Sequence, residues 1–187
     1  MKKNSSVLLT IILLFSCCFI SASAKEQQQS IGISIDELAF GEEVVAYFYV
    51  NGEVRVKKEI PNSRKTHSIS SSSQVAATFH VGLTRMESQK AYLYWTANVY
   101  PPAATGLKNV TGGIYCQNTN VLSPVTYYST SIKCPYLNGT TYLAQGSTDT
   151  FGLPITTTTF RVGYTNLNLR TINKDYYFGN GSSIVNR

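Results

Sequence analysis

The chain has 187 residues, with 16 Lys and Arg against 10 Asp and Glu, a formal net charge of +6. Only 14% of residues are charged while 43% are hydrophobic, a balance that is not the signature of intrinsic disorder. Two histidines and four cysteines leave little material for a metal centre.

The first 24 residues read as a secretory signal peptide. Met1-Lys2-Lys3 is the charged start, residues 7–20 are an uncharged and mostly apolar run, and Ala22-Ser23-Ala24 is an A-x-A cleavage site. The run is 14 residues long, short of the ~20 that span a bilayer, so it implies export rather than anchoring. Cleavage before Lys25 leaves 14 basic and 10 acidic residues in 163, a modest positive charge. A competing reading takes Leu14-Phe15-Ser16-Cys17 as a lipoprotein box with Cys17 lipidated, although Phe15 stands where such boxes hold a small residue.

Cys17 and Cys18 leave with the leader. Cys116 and Cys134 remain, and in an oxidising compartment they are expected to form a disulfide, closing a loop worth ~3 kcal/mol in chain entropy.

Residues 25–30 are a polar, flexible N-terminal segment, and 31–187 one β domain. Ile31, Ile33 and Ile35 alternate with Gly32 and Ser34, a first strand. Residues 44–50 and 53–60 flank Asn51-Gly52, a strong hairpin signal. A two-residue loop would pair Tyr49 with Val54 and Tyr47 with Val56, turning both tyrosines inward and Phe48 outward beside Arg55. A three-residue loop would reverse that assignment. After a serine-rich loop at 61–73, Val75, Ala77, Phe79, Val81 and Leu83 alternate with small or polar residues, and Ala91, Leu93, Trp95, Ala97 and Val99 repeat the pattern. These two strands form the expected core.

Pro101-Pro102 ends the second of them, and 103–113 reads as a loop. Further strands are expected at 114–117, 125–134, 140–144, 155–164 and 167–172, with a second hairpin turn at Asn138-Gly139 and a turn or bulge near Thr165-Asn166. Tyr176-Tyr177-Phe178 before Gly179-Asn180-Gly181 would be a last short strand. No helical period emerges. About nine short strands predict an all-β fold: an antiparallel β-sandwich of immunoglobulin-like or jelly-roll-like form, with a closed barrel as the alternative.

Chemistry is harder to find. Glu42 and Glu43 are adjacent on one strand and face opposite sides, so they cannot serve as a glycosidase carboxylate pair. Asp149 and Asp175 are the only acids after Glu87, His67 and His80 the only histidines, and neither a zinc spacing nor a nucleophile elbow is present. No catalytic residues, cofactor or metal are therefore assigned. Tyr92, Tyr94 and Tyr100 form a row opposite the Leu93-Trp95 face; tyrosine offers amphipathic contact area at low entropic cost, so the row is the candidate binding surface. The competing reading is that the row is ordinary cross-strand packing. Arg55, Lys57, Lys58, Arg64 and Lys65 form a basic surface, read either as contact with an anionic polymer or membrane or as charge guarding an edge strand. Asn109, Asn138 and Asn180 each begin an N-x-S/T sequon, relevant only in a eukaryotic secretory pathway.

The expectation is a secreted, extracellular, non-enzymatic protein with a binding or surface role. Its candidate partners are a glycan, a wall polymer or a surface protein, with no nucleic acid and only peripheral membrane contact. The alternatives are a small effector or toxin acting on membranes and, behind it, a hydrolase using Asp149, Asp175 or His80.

Overall fold

In the computed structural model the described residues are 41–60, 74–86, 89–102 and 104–186. They form ten strands and no helix: β1 (Glu43–Tyr49), β2 (Val54–Glu59), β3 (Val75–Arg85), β4 (Lys90–Val99), β5 (Leu107–Gln117), β6 (Thr126–Ser131), β7 (Leu143–Ser147), β8 (Phe151–Gly152), β9 (Thr159–Thr171) and β10 (Asp175–Asn186). The expected strand at 31–35 and the serine-rich loop lie outside the described residues.

Two antiparallel sheets pack face to face as a sandwich, and the strands do not close into a barrel. The first runs β2-β1-β3-β4-β7 with β8 also on β4; the second runs β10-β9-β5-β6. The chain crosses between sheets after β4, returns after β6 and crosses again after β8.

The alternation in β3 and β4 builds the centre of the core as expected. Ala77, Phe79, Val81, Leu83, Leu93, Trp95, Ala97 and Val99 are all buried, and only Val75 is half-buried at its strand end. Phe79 bridges the layers, stacking on Trp95 at 6.3 Å between centroids and meeting Tyr164 of β9 edge-on at 5.6 Å. Such aromatic contacts add ~0.5–1.5 kcal/mol beyond area burial. Trp95 in turn lies across Gly146 of β7, where a Cβ would stand 2.9 Å from the indole. Only glycine lets the ring lie flat on its neighbour.

Five expectations of local structure need correction. The first hairpin has a three-residue loop, Val50-Asn51-Gly52, because Tyr47 pairs with Arg55 and Phe48 with Val54. Gly52 sits at φ 88° and Asn51 Oδ1 accepts from the Glu53 N–H at 3.0 Å, so the extra residue is absorbed at the turn. Phe48 therefore turns inward onto Tyr176 and Phe178, while Tyr47 and Tyr49 face outward.

Residues 107–113 belong to β5 and not to a loop. Their polar, glycine-containing sequence hides a strand kinked at Gly112, φ 141°, where a Cβ would meet the Thr165 carbonyl at 2.9 Å. The kink faces the expected irregularity at Asn166, φ 48°, and a third at Gly179, φ 69°, so the parity slip runs as one bulge across β5, β9 and β10. Gly179-Asn180-Gly181 consequently continues β10 instead of ending it.

Asn138-Gly139 is a turn, with Asn138 Oδ1 accepting from the Thr140 N–H and hydroxyl, but it does not make a hairpin. Residues after it leave for the first sheet, where β7 pairs with β4. The expected strand at 155–164 likewise begins only at Thr159.

The expected disulfide is absent. Cys116 is a buried core thiol in β5 opposite Tyr128, and Cys134 is a half-buried thiol whose Sγ contacts the Pro135 carbonyl oxygen at 3.3 Å. The reason is register: Cys134 lies against the Val110 backbone, six residues along β5 from Cys116. Six strand residues span about 20 Å, against the ~4.4–6.8 Å between Cα atoms that a disulfide needs.

Candidate functional site

The outer face of the first sheet gathers the polar chemistry of the molecule. Across it the register aligns Glu59, Glu43, Gly82, Tyr94 and Ser147 in one row, Lys57, Val45, His80, Thr96 and Gln145 in the next, and Arg55, Tyr47, Thr78, Asn98 and Leu143 in a third. On β1, β3 and β4 alternation explains why: the core side chains Val44, Ala46, Phe48, Phe79, Val81, Leu93, Trp95 and Ala97 alternate with these residues, which therefore point away from the interior, and β2 and β7 join the same face through pairing.

At its centre is a carboxylate with two partners. Glu43 Oε1 accepts from the Tyr94 hydroxyl at 2.8 Å and Oε2 lies 3.1 Å from His80 Nδ1. Glu43 is buried, His80 is half-buried, and both Tyr94 and His80 come from the two strands next in order after β1. Tyr94 reaches the carboxylate by crossing Gly82, where a Cβ would collide with the ring at 2.3 Å. Burial, the Glu43 charge and the hydrogen bond to it together raise the Tyr94 hydroxyl above the ordinary tyrosine range, so it stays a donor. His80 with Nδ1 on Glu43 has its ring orientation fixed by that contact.

A second tyrosine is held the same way. Tyr47 donates to Glu59 Oε1 at 2.5 Å, and burial followed by the Glu59 bond raises its hydroxyl as well. Tyr47 stacks with Tyr49 at 6.4 Å, and Lys57 and Arg55 lie over the two rings at 5.6 and 5.2 Å. At the far edge of the face the Tyr100 hydroxyl pairs with Thr78 Oγ1 at 3.2 Å.

The expected tyrosine row is thus on this face, with Tyr92 and Tyr94 half-buried and Tyr100 exposed. Tyr47 and Tyr49 join it, which the inward assignment of the hairpin had hidden. Glu43 belongs to this face too, a role beyond its pairing with Glu42, and the signal for it in the sequence is its parity with Val45 and Tyr47.

The basic surface divides. Arg64 and Lys65 lie outside the described residues. Arg55 bonds Glu53 through Nε at 2.6 Å and Nη2 at 3.0 Å, and Lys58 pairs with Glu42 at 2.9 Å. The Lys58 bond, with the Asn186 N–H, lowers the Glu42 carboxyl. β2 is an edge strand, so its cations, engaged within the molecule, fit the edge-guarding reading.

The acids considered for hydrolysis are not brought to His80. Asp149 faces Lys133 at 3.8 Å and Asp175 faces Arg170 at 3.9 Å, both strongly exposed. Among the described residues no three His, Cys, Asp or Glu gather as a metal site. Asn109, Asn138 and Asn180 are all exposed, each with its side-chain oxygen in a local hydrogen bond.

Fold and face together define a β-sandwich with a tyrosine-rich polar sheet surface. No family model, curated protein or solved structure matches the chain.

Proposed function

We propose that the protein is an exported, non-enzymatic binding domain that holds a neutral glycan or wall polymer on the outer face of the β2-β1-β3-β4-β7 sheet. The observation that carries this reading is the placement of Tyr47, Tyr49, Tyr92, Tyr94 and Tyr100 on that one face, interleaved with Thr78, Thr96, Asn98 and Gln145. Aromatic faces receive the C–H surfaces of sugar rings, and neutral hydroxyl and amide groups exchange hydrogen bonds with sugar hydroxyls without a charge to desolvate. The sheet supplies a rigid spacing, so little side-chain freedom is left to lose on binding.

The test is a glycan and wall-polymer array probed with the exported protein and with Tyr92→Ala and Tyr100→Ala. Those tyrosines are not bonded to the buried Glu43, so the variants retain the fold. Loss of at least tenfold in affinity for a polymer bound by the wild type supports the reading; unaltered binding by both variants removes the face from consideration.

The Glu43–His80 contact favours a second reading, acid–base hydrolysis at the same face, since a carboxylate on Nδ1 leaves Nε2 to exchange a proton with a substrate. Turnover abolished by His80→Gln at unchanged stability would replace binding with catalysis.

A further inference from the structure

The loops at one end of the sandwich carry side chains that the tyrosine face does not explain. Lys90 pairs with Gly152, Gln117 with Thr126 and Arg161, and Thr159 with Asn186, whose N–H reaches Glu42 at 2.6 Å. These pairings bring the β3–β4, β5–β6 and β8–β9 connections to a single end. Leu122 is 97% exposed there, Val121 76%, Ile155 64%, Val125 51% and Met86 48%.

The longest of these loops is built to hold its tip out. Asn118 Oδ1 accepts from the Val125 N–H at 3.0 Å, and Asn118 Nδ2 donates to the Ser123 carbonyl at 3.2 Å. Asn120 Oδ1 accepts from the Leu122 and Ser123 N–H groups at 3.0 and 3.2 Å. Residues 118–125 and 153–158 contain no charged residue, only apolar side chains, Asn, Ser, Thr and Pro. Behind them Lys90 opens β4, exposed, and Arg161 lies half-buried two residues into β9, while Lys58 at the same end is neutralised by Glu42 at 2.9 Å. The opposite end also exposes apolar side chains, Val50 at 49% and Ile172 at 51%, but its turns carry charge: Glu53 and Arg55 follow Val50, and Lys174 and Asp175 follow Ile172.

The first described residues, Gly41 and Glu42, lie at this end as well, Glu42 Oε2 accepting from the Asn186 N–H.

We propose that this end of the sandwich docks on an anionic phospholipid bilayer, with Val121, Leu122, Val125 and Ile155 entering the interface. A convex tip drawn from separate loops fits a fluid surface, which closes around it. Neutral polar residues beside the tips match the headgroup layer, and Lys90 and Arg161 stand where lipid phosphates would lie. No described helix is long and apolar enough to cross a membrane, and this mode of contact requires none. The proposal is independent of glycan binding, which uses a sheet face rather than this end.

Sedimentation with vesicles of phosphatidylcholine, with and without phosphatidylglycerol, tests it on the exported protein. The wild type is expected to sediment with the anionic vesicles and less with the neutral ones, and added salt should weaken but not abolish binding. Leu122→Asp should lower the partition coefficient about tenfold or more, since a charge replaces the apolar contact. Its thermal midpoint should stay put, because the side chain touches solvent alone. Leu122→Trp should show a blue-shifted emission on vesicles that the buried Trp95 does not contribute. Tyr92→Ala should sediment as the wild type, which separates this surface from the sheet face. Wild type that ignores anionic vesicles overturns the proposal, as does Leu122→Asp that binds them undiminished. Binding lost on Lys90→Gln/Arg161→Gln yet untouched by Leu122→Asp overturns insertion in favour of surface charge alone.

Discussion

Replacing Tyr94 with Phe removes one oxygen from the buried network while keeping the ring over Gly82. The hydroxyl donates to Glu43 at 2.8 Å, and that buried carboxylate also meets His80 Nδ1 at 3.1 Å. A hydrogen bond to a charged group contributes about 1.5–3 kcal/mol, and losing the donor leaves part of a buried charge unsatisfied. The expected loss is therefore about 2 kcal/mol, which for a domain of this size lowers the melting temperature by about 4–8 °C. Tyr100→Phe is the internal reference. Its hydroxyl meets a neutral threonine at 3.2 Å from an exposed position, so it should cost no more than about 0.5–1 kcal/mol.

The same geometry predicts non-additivity. Gly82→Ala places a Cβ 2.3 Å from the Tyr94 ring, forcing the ring off Glu43 and costing about 1–3 kcal/mol. Once the ring is driven away, the hydroxyl has little left to contribute, so Tyr94→Phe on that background should cost much less than alone. Urea unfolding followed by circular dichroism measures all four proteins. Tyr94→Phe as stable as the wild type, or strictly additive losses, would refute a Glu43-centred network.

Further predictions follow from the core. Leu93→Asp buries an unpaired charge beside Trp95 and should leave no cooperative unfolding transition; a retained transition would show the site opens to water. Gly106→Ala sets a Cβ 1.8 Å from the Gly139 carbonyl oxygen, backbone that cannot step aside, so it should destabilise by more than about 3 kcal/mol where Gly152→Ala, with open space around it, does not. Two thiols should alkylate in denatured protein without prior reduction, and in the native state Cys134 should react well before buried Cys116; intact mass reads both, and a protein that needs reduction first would contradict the register. Burial pushes the Cys116 thiol from its ordinary 9.0 up to about 12. The folded state thus holds the proton more tightly, so this contribution is complete below about pH 9 and is lost as pH rises toward 12. Cys116→Ala should flatten the fall in urea midpoint across that window, and an unaltered slope would count against it.

Strands with a clean period of two were readable because both requirements on them agree. In β3 and β4 every second residue is apolar and the flanking strands are fully paired, so the pattern and the core coincide. β5 was not readable over residues 107–113, since its kink at Gly112 demands glycine and its outward side chains are Lys, Asn and Thr, the composition of a loop. The Asn138-Gly139 signal failed differently. It specifies a local turn, which is present, but which strand the chain then joins depends on the competition between sheets. The extra residue in the first hairpin loop decided more than one turn. It exchanged the faces of Phe48 and its two neighbouring tyrosines, because a shift of one residue in a strand reverses every side chain.

That exchange is also why the polar face was only half legible. The row Tyr92, Tyr94, Tyr100 follows from β4 alone, where Pro101 ends the strand and the apolar alternation fixes the sides. Glu43 and Tyr47 belong to the same surface only once β1 is registered against β3, pairing Glu43 with Gly82 and Tyr47 with Thr78. No local signal in residues 43–49 distinguishes a glutamate under a tyrosine ring from one in solvent. Gly82 is the nearest thing to such a signal. A glycine in the middle of an otherwise well-formed strand weakens it, and the structure shows what stands in the missing side chain's place: the Tyr94 ring, on its way to the carboxylate. An interior glycine opposite an aromatic on a paired strand, with an acid one strand further on, is therefore a pattern that points to a buried carboxylate–tyrosine contact in sheets of this kind.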